Sequence, residues 1–285
     1  MSNLFSILCS DGTRYDIGTG RPDYPLSIDL KITEICNHQC PWCYENSTNK
    51  GNHGEVDNIL EALKELPVGT EIAIGGGNPL THPELDRLVG ILSNRGLICN
   101  MTIRDFDVTP DLVIPKGIKA LGVSMTPGIN PESYIDKLKE INSYFVCHLI
   151  LGVNSLDDYT KAKQYFPRIL WLGFKNMGRG KSWPKDSIDA TRKSIIKDLY
   201  LGINNIVSFD NKAVSQLNLQ SAFLKSEWDR NYLGDDFTKS MFVDGVRETY
   251  SKSSLSQENE RVSWKDCSLV NYFRNDKTFR SGEYR

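Results

Sequence analysis

The chain has 285 residues, 39% apolar and 25% charged, with a formal net charge of −2, values that suit one large domain, or a domain with an appendage, able to bury a sizeable core. That charge speaks against a general nucleic-acid binder, which needs a basic face to neutralise phosphates. No apolar run reaches membrane-spanning length, and the start, MSNLFSILCSDGTR, lacks a signal-peptide pattern, so a cytoplasmic protein with reduced thiols is expected.

In chain order, FSILC, the pair Asp11-Gly12 and TRYDI predict a hairpin, followed by the Pro/Gly-rich connector GTGRPDYP. Leu26–Thr33 reads as a strand running straight into a cysteine-containing loop. Val56, Ile59, Leu60, Leu63 and Leu66 have the spacing of one helical face, and TEIAIGG is the next strand. Thr81 and Glu84, with Pro83 between them, read as a capping box opening a helix that carries Leu85, Leu88, Val89 and Leu92 and ends at Gly96. ICNMTI and Lys119–Met125 are strands, and Asn130-Pro131 starts a helix with Tyr134, Leu138 and Ile141. YFVCHLIL is a strand, Ser155 with Asp158 caps the helix after it, RILWLGF is a strand, and WPKDSIDATRKSIIKDLYLG is a longer helix. About six strand–helix units in a row predict a parallel sheet with helices outside, too few for a complete eight-fold barrel.

Past about Ser208 the alternation stops. FDNKAVSQLNLQ, a hairpin in SMFVDGVRETYSKSS turning near Asp244-Gly245, a surface loop in SLSQENERVS and a short closing helix in WKDCSLVNYF form a small α+β extension. The expected divisions are 1–25 for the hairpin and connector, 26–206 for the core and 207–285 for the extension.

Three of the seven cysteines, Cys36, Cys40 and Cys43, stand in a C-x-x-x-C-x-x-C spacing within TEICNHQCPWCYEN, directly after the first core strand. In a parallel α/β barrel that is the face where chemistry sits. The triplet has three readings: buried structural cysteines, a zinc knuckle with His38 or His53 as fourth ligand, or a 4Fe–4S cluster ligated by only three thiolates. Close spacing in a loop is poor core design. Structural zinc ligands usually come as paired couples, and no second couple exists here. A three-thiolate cluster leaves one iron open to another ligand.

With Trp42 as the aromatic before Cys43, the triplet resembles the CxxxCxΦC motif of the radical S-adenosylmethionine (radical SAM) superfamily. The resemblance covers roughly 26–206 and implies a partial (β/α)6 TIM-like barrel. It implies that Cys36, Cys40 and Cys43 hold a 4Fe–4S cluster whose open iron binds S-adenosylmethionine. GGGNPLTHPEL matches the superfamily's GGE-type motif through Gly75, Gly76, Gly77 and Pro79, with Asn78 where Glu is usual. Those residues would grip the methionine ammonium, more weakly for want of the charge. Ser124 and Asn154 resemble common contacts to the nucleoside or carboxylate, although both also fit cap or turn chemistry. Trp42, Leu172 and Phe174 would wall the nucleoside.

Lys175, Arg179 and Lys181 make a small basic loop that could meet a carboxylate or phosphate, solvation being the plainer reading of Arg179 and Lys181. Cys9, Cys99 and Cys147 lie in strand patterns as small hydrophobes. Cys267 stands alone, and neither His82 nor His148 is placed as a ligand.

By this resemblance the chain is an enzyme in which reductive cleavage of S-adenosylmethionine yields a 5′-deoxyadenosyl radical that abstracts a substrate hydrogen. An electron donor of flavodoxin or ferredoxin type is implied. SMFVDGVRETYSKSS resembles the hairpin of SPASM or twitch modules without their cysteines, Ser253 and Ser254 standing near one expected place. That makes a peptide or protein side chain the expected substrate. The alternatives are a nucleotide or other small metabolite, or a non-catalytic protein with a structural zinc or iron–sulfur site.

Overall fold

The computed structural model describes residues 5–8, 14–17, 21–184, 187–232 and 234–275. β1 (Phe5–Leu8) and β2 (Arg14–Ile17) pair antiparallel, Phe5 opposite Ile17. The expected turn at Asp11-Gly12 and Cys9 lie outside the described residues.

The body of the molecule is one sheet. β3 (Ser27–Thr33), β4 (Glu71–Gly76), β5 (Ile98–Arg104), β6 (Ile118–Ser124), β7 (Phe145–Ile150), β8 (Arg168–Leu172) and β9 (Ile206–Phe209) lie side by side in chain order, each parallel to the next. Between them run α1 (Val56–Ala62), α2 (Leu85–Asn94), α3 (Ile135–Ile141), α4 (Leu156–Tyr165) and α5 (Asp189–Leu201), with α6 (Asn211–Gln216) and α7 (Lys225–Asn231) following β9. The parallel series thus extends one strand past the expected six. The signal in IVSF is weak because Ile206 and Ser208 are exposed, so no apolar alternation marks it. The extension adds to the opposite edge: β10 (Ser240–Asp244) lies parallel to β3, and β11 (Thr249–Ser251) and β12 (Val262–Ser263) continue antiparallel. The sheet has two ends, β12 and β9, so the fold is an α/β partial barrel. α8 (Leu269–Arg274) packs Leu269, Val270 and Phe273 into the core.

Strand parity decides where the core and the site lie. Ile28, Leu30 and Ile32 of β3, Ile72 and Ile74 of β4, Cys99, Met101 and Ile103 of β5, and Cys147 and Leu149 of β7 are all buried under the helices. The alternate residues face inward. Asp29, Ala73, Asn100 and Ala120 form one row across β3 to β6, and Asp29 and Ala73 keep exposed surface in the middle of their strands. Parallel sheets ordinarily bury both faces; here the inner face lines an accessible hollow.

Local capping holds in one place and changes in another. Ser155 and Asp158 form the expected reciprocal box at α4: Asp158 N donates to Ser155 Oγ at 3.1 Å, and Ser155 N donates to Asp158 Oδ2 at 2.8 Å. The Thr81–Glu84 box does not form. Asn78 caps a 3₁₀ turn at Pro79–Thr81, the Thr81 hydroxyl donates back to the Asn78 carbonyl at 2.7 Å, and α2 opens after Glu84 without a side-chain cap. The Glu84 N–H that the box required donates instead to His82 Nδ1 at 3.2 Å. The last long helix begins at Asp189, later than its sequence pattern suggests.

Candidate active site

The cysteine loop leaves the C-terminal end of β3 and is tied to its surroundings mostly through the backbone. Cys36 N donates to Thr48 O at 2.8 Å, Cys43 N to Cys40 O at 3.1 Å, and Glu34 N to Asn52 O at 2.8 Å. The exit of β4 packs directly on it. Gly77 N donates to Thr33 O at 2.7 Å and Asn78 N to Ile35 O at 2.8 Å. A Cβ on Gly77 would lie 2.2 Å from the Ile35 carbonyl, so only glycine permits this approach. Gly76 between the strands has a φ of 118°, and Gly75 faces open space. Two of the three glycines therefore serve the cysteine loop itself, and Gly75 is the one that leaves room for a ligand.

Two cationic side chains fix this loop. Lys31, 3% exposed on the inner face of β3, places Nζ 2.9 Å from Glu45, 3.0 Å from Glu34 and 3.3 Å from Asp244. Glu34 and Glu45 flank the triplet and Asp244 ends β10, so one ammonium joins both ends of the loop to the extension. Burial alone would lower the Lys31 pKa, but the charges of Glu45 and Asp244 outweigh it and raise it above the usual value. Arg179 makes the second tie: Nε donates to Cys40 O at 2.9 Å and Nη1 to Ser47 O at 3.0 Å. The reading of Arg179 as a solvated charge is thus corrected. Gly178, at φ 51°, passes so close that its Cβ would sit 2.7 Å from Cys43 O. The expected basic loop divides: Arg179 clamps the cysteines, Lys175 reaches Ser254 Oγ at 2.8 Å and Lys181 is exposed. Neither Lys31 nor Arg179 belongs to a sequence motif. A lysine between the buried Leu30 and Ile32 of β3 was the available signal, because a buried lysine requires partners.

Asn78 is 5% exposed and its side chain is fully engaged. Its Oδ1 accepts from Leu80 N at 3.1 Å, and its Nδ2 donates to Asp107 Oδ1 at 3.0 Å. His38 Nε2 lies 2.9 Å from the same Asp107 oxygen, and Asp107 Oδ2 accepts from Arg104 N at 2.9 Å. A carboxylate just after β5 thus stands beside the amide that replaces the usual glutamate. The sequence reading did not single out Asp107.

The residues expected to border the nucleoside gather in part. Trp42 packs edge-on to Trp183 with ring centroids 5.0 Å apart, and the Arg104 guanidinium stands 5.4 Å from the Trp42 ring. Phe174 is buried, exchanges backbone hydrogen bonds with the Gln216 side chain at 2.8 and 2.9 Å, and lines a cavity of about 370 Å³ with Leu151, Gly152, Ile188 and Gln216. Leu172 ends β8 and Ser124 ends β6. Asn154 is buried; its Oδ1 accepts from Ile150 N at 2.8 Å and its Nδ2 donates to Met125 O at 3.1 Å, tying the exit of β7 to that of β6.

The donor set fits a cluster. All three thiols are free, Cys36 is 8% exposed, and Cys40 and Cys43 are partly exposed. Burial pushes the Cys40 thiol up; Arg104 opposes this, and the Cys43 and Cys36 sulfurs add to it. Among the described residues no three His, Cys, Asp or Glu side chains converge on a point fit for a single ion. His38 Nε2 lies against Asp107 and Asn78 and His53 packs against His82 at 4.8 Å, and among the described residues no such convergent group joins either ring to the thiols. Three free thiols on one loop suit separate corners of a four-iron cluster. Cys99 and Cys147 are fully buried strand residues, and Cys267 lies far along the chain, its thiol pushed up by burial and Asp266.

A family model described as "Radical SAM superfamily" matches residues 30–206. Over 96 residues, 31% of this chain and 19% of the relative, the sequence is 25% identical to 7,8-dihydro-6-hydroxymethylpterin dimethyltransferase of Methanocaldococcus jannaschii. The chain therefore matches only about a fifth of that relative's length. Among solved structures, Streptococcus suis SuiB bound to precursor peptide SuiA superposes with a TM-score of 0.67 at 14% identity, over 90% of this chain and 66% of that one. SuiB bound to S-adenosylmethionine matches with the same TM-score at 15% identity, over 90% and 67%. These likenesses show the fold. No helix among the described residues is long and apolar enough to cross a membrane.

Proposed function

This chain belongs to the radical SAM superfamily, an enzyme family whose cofactors are a 4Fe–4S cluster and S-adenosylmethionine, and we propose that it acts on a peptide or protein side chain. Cys36, Cys40 and Cys43 would hold the cluster. When bound, the two cofactors supply the electron and the sulfonium whose cleavage gives a 5′-deoxyadenosyl radical. The chain's own residues do the rest. Lys31 and Arg179 set the shape of the thiolate loop. Gly75 leaves space at the end of β4, Asp107 offers negative charge where Asn78 has none, and Trp42, Ser124, Asn154, Leu172 and Phe174 border the nucleoside's place.

The observation that carries the substrate reading is the accessible inner face of the sheet beside the cysteine loop, reached by the extension through Ser254. A fold shared with a structure bound to a precursor peptide supports it. The extension is read as a SPASM-like module without its clusters. The electron would come from a flavodoxin- or ferredoxin-like donor in the cytoplasm. The partial match to a pterin dimethyltransferase favours a second reading, a small-metabolite substrate.

Anaerobic reconstitution is expected to give about four irons per chain and a visible absorbance that bleaches with dithionite. 5′-Deoxyadenosine should then form, and candidate peptides should change mass. A colourless protein with one tightly bound zinc overturns the enzyme, and turnover confined to a free nucleotide or pterin overturns the peptide.

A further inference from the structure

Asp29 stands on the inner face of β3, opposite Ala73, and keeps accessible surface although protein surrounds it. It therefore lines the hollow. Its carboxylate makes no hydrogen bond or ion pair with the side chain of another described residue. Its acidic neighbours are already engaged. Asp210 Oδ1 accepts from Gly173 N at 2.9 Å and from Ala213 N at 2.6 Å, capping α6, and Asp236 Oδ1 accepts from Asn211 Nδ2 at 2.7 Å. Asp29 alone of the three has nothing to hold.

Lys175 faces this carboxylate from just beyond β8. Its Nζ donates to Ser254 Oγ at 2.8 Å and sits 3.9 Å from the centre of the Tyr44 ring. An ammonium has three N–H donors, so one remains. Burial raises the Asp29 pKa, Lys175 pulls it down, and Asp236 and Asp210 push it up again. Burial would lower Lys175, but Tyr44, Asp210 and Asp29 carry it above its ordinary value. The two groups feel each other's charge yet form no ion pair. Opposite charges that share a hollow without touching leave much of their possible attraction unmade. A ligand carrying a cation toward Asp29 and an acceptor toward Lys175 would restore both. Tyr44 directly follows Cys43, so the pair lies beside the cysteine loop.

We propose that Asp29 and Lys175 determine substrate specificity, Asp29 receiving a basic group of the substrate and Lys175 a neighbouring carbonyl or carboxylate. This rests on the peptide reading of the site and narrows it to a segment containing lysine or arginine.

The test incubates reconstituted enzyme with a mass-encoded library of acetylated pentapeptide amides, whose charges come only from side chains, and separately titrates free L-lysine. Retained peptides should be enriched in Lys or Arg about tenfold over the input, the order expected for one partly desolvated charge pair. Asp29→Asn should abolish the enrichment while iron content and S-adenosylmethionine binding stay at the wild-type level, and Asp29→Lys should turn it toward Asp and Glu. Retention without basic enrichment, or enrichment unchanged in Asp29→Asn, overturns the assignment and leaves the peptide reading standing. Asp29-dependent binding of L-lysine with no peptide retained upholds the cation site and overturns the peptide reading. Binding of neither overturns both.

Discussion

Lys31→Met replaces a cation that joins three carboxylates by an apolar side chain of similar length. Lys31 is 3% exposed and Asp244 2%, so the variant leaves an enclosed carboxylate without its closest cation. Removing one partner of a buried pair ordinarily costs about 3–5 kcal/mol. Asp244 keeps Arg261 at 3.5 Å and the backbone N–H groups of Val246 and Arg247 at 3.1 Å, which places the expected loss at the lower end, about 3 kcal/mol. Glu45 has Lys31 as its one ion-pair partner among the described residues. The Glu45 end of the cysteine loop is therefore released, while Glu34 keeps Arg247 at 3.5 Å. Urea unfolding followed by circular dichroism measures the first effect, and iron retained after reconstitution measures the second. Adding Asp244→Asn should recover part of the stability, because the uncompensated charge is then gone. A loss below about 1 kcal/mol, or full iron retention despite the predicted destabilisation, would refute the assignment of Lys31 as the tie that shapes the loop. The pH dependence has a definite sign. The Lys31 pKa is raised, so its contribution is complete below about pH 10.5 and fades as pH climbs through the folded value. Burial would raise the Glu34 pKa, but Lys31 and Arg247 bring it below 4.5, so its share is present above about that pH and fades on acidification through the lower folded value.

Arg179→Met removes two charge-assisted bonds to the loop carbonyls, worth about 3 kcal/mol together at the low end, and should shorten the half-life of the visible absorbance under chelator challenge at least several-fold; equal half-lives would return Arg179 to the solvent. Gly77→Ala forces a methyl to within 2.2 Å of the Ile35 carbonyl and should prevent iron loading, whereas Gly75→Ala, with open space, should load iron normally and weaken S-adenosylmethionine binding by calorimetry. If the two variants behave alike, the division of labour among these glycines is wrong. Burial lowers the His148 pKa from 6.5 to about 4. The unfolded chain then binds the extra proton between those values, so stability falls by up to about 3 kcal/mol as pH drops through that window. His148→Gln should flatten the acid side of the stability profile between pH 6.5 and 4, and an unchanged profile would show that His148 titrates normally.

The sequence by itself determined the parallel α/β plan, because burial of alternate strand residues under helices leaves an apolar rhythm in Ile28, Leu30 and Ile32 and in β4 to β8. It also determined that three thiols share one loop after the first core strand, since residues within eight positions cannot be far apart in space. β9 escaped because half its side chains face solvent, and the Thr81 cap failed because His82 Nδ1 took the Glu84 N–H that it needed. Tertiary structure alone decided what holds and surrounds the thiols. Arg179 reaches Cys40 across 139 positions and Lys31 reaches Asp244 across 213, and no local pattern encodes such pairings. Asp107 beside Asn78, and Asp29 facing Lys175, arise the same way: the curvature of the sheet turns side chains from distant strands toward one hollow. Local propensity can name the residues able to carry charge or bind metal, but the partner of each is chosen by the packing of the whole sheet.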